Sequence, residues 1–264
     1  MIKEVKLASD YIHHVATSMN AHGAHSPFLY NLLEDCIYKK VDEPMFAKFE
    51  DMRSELKNDQ RMIDVTDMGE GSQYDGRSQQ RSIAFITRKF SKPPRLCRLL
   101  YRLTNYFKPA SMLELGTSMG FSAIYQAAGN PSSILTTVEG CPGTYGEAVK
   151  NIERSGISNI RPVNASFDEY IPAYIQEHGY PAWTYIDGNH NYESTIRYFN
   201  LLRDRNNTDQ VMIFDDINWS DGMKAAWQEI CDHRDSTMTV NLFFVGIVLF
   251  RDGLTKQNFR VRFL

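Results

Sequence analysis

An α/β fold with a doubly wound, seven-stranded, mostly parallel sheet is predicted for this chain by three observations. From residue 111 onward, short apolar runs alternate with amphipathic segments of helical period, the pattern of strands joined by crossover helices. The first run ends in a glycine-bearing turn, Leu115-Gly116-Thr117-Ser118-Met119-Gly120, directly before an apolar helix. The last two runs, 237–244 and 246–251, follow one another with no helix between them. That predicts an antiparallel C-terminal hairpin closing one edge.

Taken in order, strands are placed at 111–115, 133–139, 159–163, 182–187 and 210–215, each a short run rich in residues that suit a buried strand. Helices are placed at 121–129, 143–155, 167–177, 191–204 and 221–232. The hairpin supplies the sixth and seventh strands, with Phe259–Phe263 as an extension of the edge. Ahead of residue 108 the pattern is helical. Residues 4–18 and 27–38 read as short amphipathic helices, joined by the turn-rich Asn20–Pro27. A charged helix is placed at 45–60. Residues 64–80, with Gly69, Gly71 and Gly76 among polar residues, read as a mobile loop. Over 93–107, Leu96, Leu99, Leu100, Leu103 and Phe107 fall on one helix face. Arg95, Arg98 and Arg102 lie on another, read as a solvated face with anion binding as the alternative. The chain thus divides into a helical cap or extension, 1–107, and an α/β domain, 108–264.

Composition narrows the function. A formal net charge of −3 offers no broad basic field, so no nucleic-acid partner is expected. Cys36, Cys97, Cys141 and Cys231 form no C-x-x-C pair, which reads as isolated reduced thiols. His22 and His25 flank a glycine in a loop and read as turn residues rather than zinc ligands. The N-terminal segment lacks the apolar core of a signal peptide. The longest apolar run, Leu242–Phe250, is too short for a bilayer. The sequons at Asn164, Asn206 and Asn218 then read as chance matches, and a cytoplasmic protein with no membrane partner is expected.

The chemistry should lie where open parallel sheets bind ligands, beyond the carboxyl ends of the strands. Gly116 and Gly120 let the backbone turn sharply and approach a ligand closely. Their G-x-x-x-G spacing differs from the G-x-G-x-x-G of dinucleotide sites. Glu114, two residues earlier, suits a cationic ligand better than a diphosphate, and S-adenosylmethionine is such a ligand. Glu139, ending the second strand, is placed to accept the hydroxyl protons of a ribose. The fourth strand closes on Asp187-Gly188-Asn189-His190 and the fifth on Asp215-Asp216-Ile217-Asn218-Trp219. As neighbours these strands would bring Asp187, Asp215 and Asp216 to one rim, an oxygen set suited to Mg²⁺ or another divalent cation. The alternative is that Asp187 touches the cofactor while Asp215 and Asp216 cap the next helix. His190 has the chemistry of a base near neutral pH, or else serves as a hydrogen-bonding residue at a helix start. Trp219 and Tyr192 read as an acceptor wall or as core.

On Leu113-Glu114-Leu115-Gly116-Thr117-Ser118-Met119-Gly120-Phe121-Ser122-Ala123, residues 111–251 resemble class I S-adenosylmethionine-dependent methyltransferases. The likeness is to the catechol and caffeoyl-CoA O-methyltransferase type, with a Rossmann-like fold. It implies that Glu114, Gly116, Thr117, Ser118, Gly120 and Ser122 surround the methionine part. It likewise implies that Glu139 and Gly140 hold the ribose, and that Ala165, Ser166 and Phe167 lie beside the adenine. Asp187 and Asp215 match metal-binding aspartates of that family, and Asp216 stands where the family has an asparagine. Asp187 and His190 would be the catalytic pair, His190 replacing the family's lysine base. The expectation is O-methylation of a small-molecule hydroxyl with S-adenosylmethionine and a divalent cation such as Mg²⁺. A homodimer is open as its assembly. Two rival readings remain: a non-catalytic S-adenosylmethionine-binding module, and a metal-dependent hydroxylase on the same fold. The likeness does not reach residues 1–90.

Overall fold

The computed structural model describes residues 2–23, 26–66, 79–204, 209–251 and 255–263. His25 and positions 67–78 of the expected mobile loop lie outside the described residues. The central sheet grows from a strand β3, Met112–Leu115, whose two neighbours β4 (Leu135–Glu139) and β6 (Trp183–Ile186) both run parallel to it. Outward on one side lies β5 (Ile160–Asn164). On the other come β7 (Val211–Asp215), β9 (Val245–Leu249), β8 (Met238–Asn241) and β10 (Gln257–Arg260). The order is therefore β5-β4-β3-β6-β7-β9-β8-β10. Only β9 runs antiparallel to its neighbours. The expected hairpin is present.

The sheet has eight strands rather than the seven predicted. The eighth is β10, parallel to β8 with Phe259 opposite Val240, which falls at the edge extension expected over Phe259–Phe263 but begins earlier, at Gln257. Gln-Asn-Phe-Arg carries no apolar run, because an edge strand exposes most of its side chains. Only pairing with β8 makes it a strand.

Side chains along β3 and β6 alternate between two buried faces, as a sheet covered on both sides requires. Met112, Trp183 and Tyr185 point into a cluster with Leu29 and Leu32 of α2 (Pro27–Leu32), with Leu99 and Leu103 of α5 (Pro94–Phe107), and with Ala123 of α6 (Phe121–Gly129). Leu113, Leu115 and Ile186 point into the opposite cluster, with Ile171 of α8 (Phe167–His178), Phe199 of α9 (Tyr192–Leu202) and Trp227 of α10 (Asp221–Asp232). Helix α7 (Pro142–Ser155) follows β4. The N-terminal helices thus complete the core of the sheet. Helix α3 (Pro44–Leu56) sets Phe46 and Phe49 against Tyr125, with ring centroids 5.0 and 5.1 Å apart. Helix α2 passes into a π-helical turn, Leu33–Ile37.

Two elements were not foreseen. Strands β1 (Met62–Val65) and β2 (Gln79–Ser82) form a hairpin that takes both ends of the stretch read as loop. It sits against the start of α7 so closely that a Cβ on Gly143 would lie 2.0 Å from the Asp64 carbonyl. Helix α4 (Ile83–Lys89) follows at once, capped by Ser82 Oγ accepting from the Phe85 amide. Helix α1 (Ile2–Thr17) rests on the C-terminal edge. His14 Nε2 lies 3.1 Å from the Val261 carbonyl, and Tyr11 meets Phe243 edge-on at 4.9 Å. Among the described residues no helix is long and apolar enough to cross a membrane.

Candidate active site

A cavity of about 710 Å³ opens over the carboxyl ends of β3, β4, β5, β6 and β7. Its floor comes from those strand ends. Its roof comes from the β1–β2 hairpin, α4 and the link to α5, through Val65, Arg81, Ile86, Phe90 and Lys92. This volume is in the range of small-molecule sites.

Gly116 and Ser118 from the first turn form one end. Gly116 has φ +105°, and any Cβ there would lie 2.0 Å from the Asp187 carbonyl oxygen. Only glycine lets the turn pass this close to β6. Ser118 is also left-handed, φ +49°. Its amide donates to Glu139 Oε2 at 2.9 Å, while its buried hydroxyl has no partner. That absence holds among the described residues, and a buried hydroxyl left without a partner is costly unless a ligand completes it. Glu139 takes a second amide, from Cys141 at 3.0 Å, which fixes its carboxyl at the cavity wall; burial raises its pKa. Gly140, Ser166 and Phe167 continue that wall. Ser166 also caps α8, accepting from the Glu169 amide at 3.3 Å. The Phe167 ring covers Gly188 so tightly that a Cβ there would approach it to 2.6 Å.

Glu114, Thr117, Gly120, Ser122 and Ala165 do not line this cavity. Glu114 is buried beneath the turn. It accepts from Gln126 Nε2 at 2.7 Å and bonds Thr137 Oγ1, which in turn meets Thr117 Oγ1 at 2.6 Å. Burial pushes its carboxyl up to about 8. The acid before the glycine turn braces the turn from below, as part of a chain of hydrogen bonds that reaches Trp183 Nε1 through Gln126. Gly120 is the left-handed cap of α6.

The other end holds Asp187, His190 and Asp216, with Asp215 buried behind them. His190 Nε2 lies 3.5 Å from Asp187 Oδ1 and 3.9 Å from Asp216 Oδ2. Burial alone would lower the His190 pKa, but the hydrogen bond and charge of Asp187 raise it. Asp215 and Asp216 do not cap the next helix, while His190 stands hydrogen-bonded to Asp187 directly before the cap of α9. Asn191 caps α9, accepting from the Ser194 amide at 2.8 Å, and Ser220 caps α10, accepting from the Met223 amide at 3.1 Å. Trp219 lines the cavity with 64 % of its surface exposed; Tyr192 points away and donates to Glu229.

Sequence reading missed Lys92. Its Nζ lies 2.9 Å from Asp187 Oδ1, contacts Asp215 Oδ2, and is 3.7 Å from Asp216 Oδ2. The three aspartates expected around a metal are gathered around an ammonium. Asp187, His190 and Asp216 do offer ligand atoms within 4.8 Å of one another. The set of Asp187, Asp215 and Asp216, however, does not fit a divalent ion while Lys92 holds its centre. Burial would lower the Lys92 pKa, yet the three carboxylates raise it well above the ordinary lysine value. Burial pushes Asp215 up to about 7; at Asp187 burial also pushes upward, but the charges and hydrogen bonds of Lys92 and His190 together outweigh it and hold the carboxyl low. The only sequence signal was its place before Pro93-Pro94, which confines its backbone to extended conformations.

Residues 113–217 match the family model described as a methyltransferase domain. Among curated protein sequences none matches the chain. Solved structures do. An O-methyltransferase from Bacillus cereus in complex with SAH is 15 % identical with a TM-score of 0.52, over 79 % of this chain and 92 % of that one. The O-methyltransferase TomG from Streptomyces achromogenes, in complex with SAM, is 14 % identical at a TM-score of 0.56, over 80 % and 91 %. The SAH-bound methyltransferase PaMTH1 from Podospora anserina is 10 % identical at 0.56, over 80 % and 89 %. The sheet order and these structures show a Rossmann-like fold, and residues 113–217 within it are similar to a methyltransferase domain. The N-terminal helices pack into the same core as that matched region.

Proposed function

We propose that this chain transfers the methyl group of S-adenosylmethionine to the hydroxyl oxygen of a small molecule. The observation that carries this reading is one cavity with two unlike ends. One end, with Gly116, the unpartnered Ser118 hydroxyl and the Glu139 carboxyl, has the donors and acceptors for an amino-acid and ribose moiety. The other, with Asp187, His190 and the exposed Trp219 ring, has an acid–imidazole pair and an apolar wall for an acceptor. The SAM- and SAH-bound structures of similar fold support the same assignment.

When bound, S-adenosylmethionine supplies a methyl group activated by a sulfonium. Glu139 orients the ribose, and Ser166 and Phe167 flank the adenine. The acceptor hydroxyl is held on the Trp219 side, and its proton passes to His190, whose imidazole Asp187 keeps in place. Most of the rate then comes from aligning the acceptor oxygen with the methyl. Calorimetric titration with S-adenosylhomocysteine tests the reading. Tight binding to the unaltered chain is expected, and a loss of roughly tenfold or more in Glu139→Ala, the scale of hydrogen bonds to a charged group. A chain that binds neither S-adenosylmethionine nor S-adenosylhomocysteine does not have this function.

A further inference from the structure

We propose that Lys92 is the built-in cation of this active site: its ammonium occupies, among Asp187, Asp215 and Asp216, the place of a divalent metal, and the acceptor oxygen is held by Lys92. This rests on the methyltransferase reading above. Three observations carry it. The first is position, since Lys92 touches both Asp187 and Asp215 and stands 3.7 Å from Asp216. A metal bridging the same oxygens would meet a like charge at contact distance.

The second is how the lysine is held. It precedes Pro93, the extended residue that begins α5 with φ −64° and ψ 152°. Its backbone is restricted by that proline, and α4 and α5 are anchored in the core on either side through Ile86 and Leu96. With a side chain only 15 % exposed, Lys92 projects from this strut into the carboxylates as part of the roof.

The third is chemical sufficiency. An ammonium has three donors, of which Asp187 and Asp215 take two, and Lys92 lines the cavity beside His190. The third is left for an acceptor oxygen seated within reach of His190. A fixed cation stabilises the negative charge that grows on that oxygen as its proton leaves. Unlike a metal with open positions, it needs no chelating pair of oxygens on the acceptor.

The test uses the full chain and Mn²⁺, followed by loss of the free-ion paramagnetic resonance signal. In parallel, S-adenosylhomocysteine is titrated in the presence of EDTA. The unaltered chain is expected to take up no Mn²⁺ and to bind S-adenosylhomocysteine in EDTA. Lys92→Ala is expected to take up Mn²⁺ at concentrations roughly a hundredfold below the highest at which the unaltered chain takes up none, from removal of the like charge. The gain should vanish in Lys92→Ala combined with Asp187→Asn. Thermal melts give a second readout, with Mn²⁺ raising the melting temperature of Lys92→Ala and not of the unaltered chain. Mn²⁺ uptake by the unaltered chain that is lost in Asp187→Asn overturns the proposal. So does a folded Lys92→Ala chain with no gain in Mn²⁺ affinity. If Lys92→Ala fails to fold, the titration of the unaltered chain decides. Failure to bind S-adenosylhomocysteine would instead remove the methyltransferase reading, so the two failures are distinct.

Discussion

At the scale of single residues, the acid at the glycine turn shows how burial changes a role. Glu114 is fully buried and hydrogen-bonded to Gln126 and Thr137, with its carboxyl pushed up to about 8 from an ordinary 4.5. A group whose folded pKa is raised gives stability that is complete below the unfolded value and lost as pH rises toward the folded one. For Glu114 that window runs from 4.5 to about 8. Glu114→Gln keeps the shape without the charge. Its stability relative to the unaltered chain should rise by about 1.4 kcal/mol per pH unit across the window. Urea unfolding at several pH values measures this, and a gap that stays flat would mean the carboxylate is solvated after all. Gly116→Ala sets a sharper test of the turn. Its Cβ would lie 2.0 Å from the Asp187 carbonyl at a φ of +105°, so the turn must part from β6. A fall in melting temperature and a loss of S-adenosylhomocysteine affinity are expected together, whereas an unchanged affinity would show that the turn tolerates displacement.

At the scale of elements, the acidic rim of the cavity is built from strand ends whose helices are capped by other residues. Asn191 caps α9 and Ser220 caps α10, which leaves His190 and Asp216 to face the cavity and Asp215 to meet the lysine behind them. Asn191→Ala should cost about 1 kcal/mol, the usual worth of such a cap. It should appear as a lower urea midpoint with an unchanged slope. The same variant should loosen His190, which directly precedes the cap. A change in the His190 imidazole NMR shift reads that effect, and an undisturbed shift would show that Asp187 alone holds the ring.

Across the whole molecule, the two ends of the chain interlock. Met19 bridges Val261 in parallel, the Arg262 amide donates to the Met19 carbonyl at 3.1 Å, and His14 Nε2 meets the Val261 carbonyl. Val261 itself is fully buried. Val261→Asp should therefore release α1, because an unpaired carboxylate in that core costs several kcal/mol. Hydrogen exchange should quicken along α1 while β3 and β6 stay protected, and equal loss in both would mean that the terminal seam and the central sheet unfold as one unit.

The central sheet was legible in the sequence because its strands are short apolar runs buried on both faces, with helical period between them. Helices 121–129 and 221–232 are observed with the bounds the sequence reading set. The cavity's floor was legible for a related reason: Gly116, Glu139, Asp187 and Asp216 end or directly follow a strand, His190 lies in the turn after β6, and in a parallel sheet strand ends converge. What the pattern did not reveal is what depends on partners distant in sequence. The β1–β2 hairpin is a half-exposed pair with no apolar run to announce it, defined by the hydrogen bonds between its own strands. Whether Glu114 meets a ligand or the core was decided by Thr137 and Gln126 closing over it. Whether three aspartates hold a metal was decided by a lysine that the chain brings back over the sheet from residue 92. Periodicity records which side of an element is buried. Electrostatics acts through space, and only the folded chain shows which charges come within reach of one another.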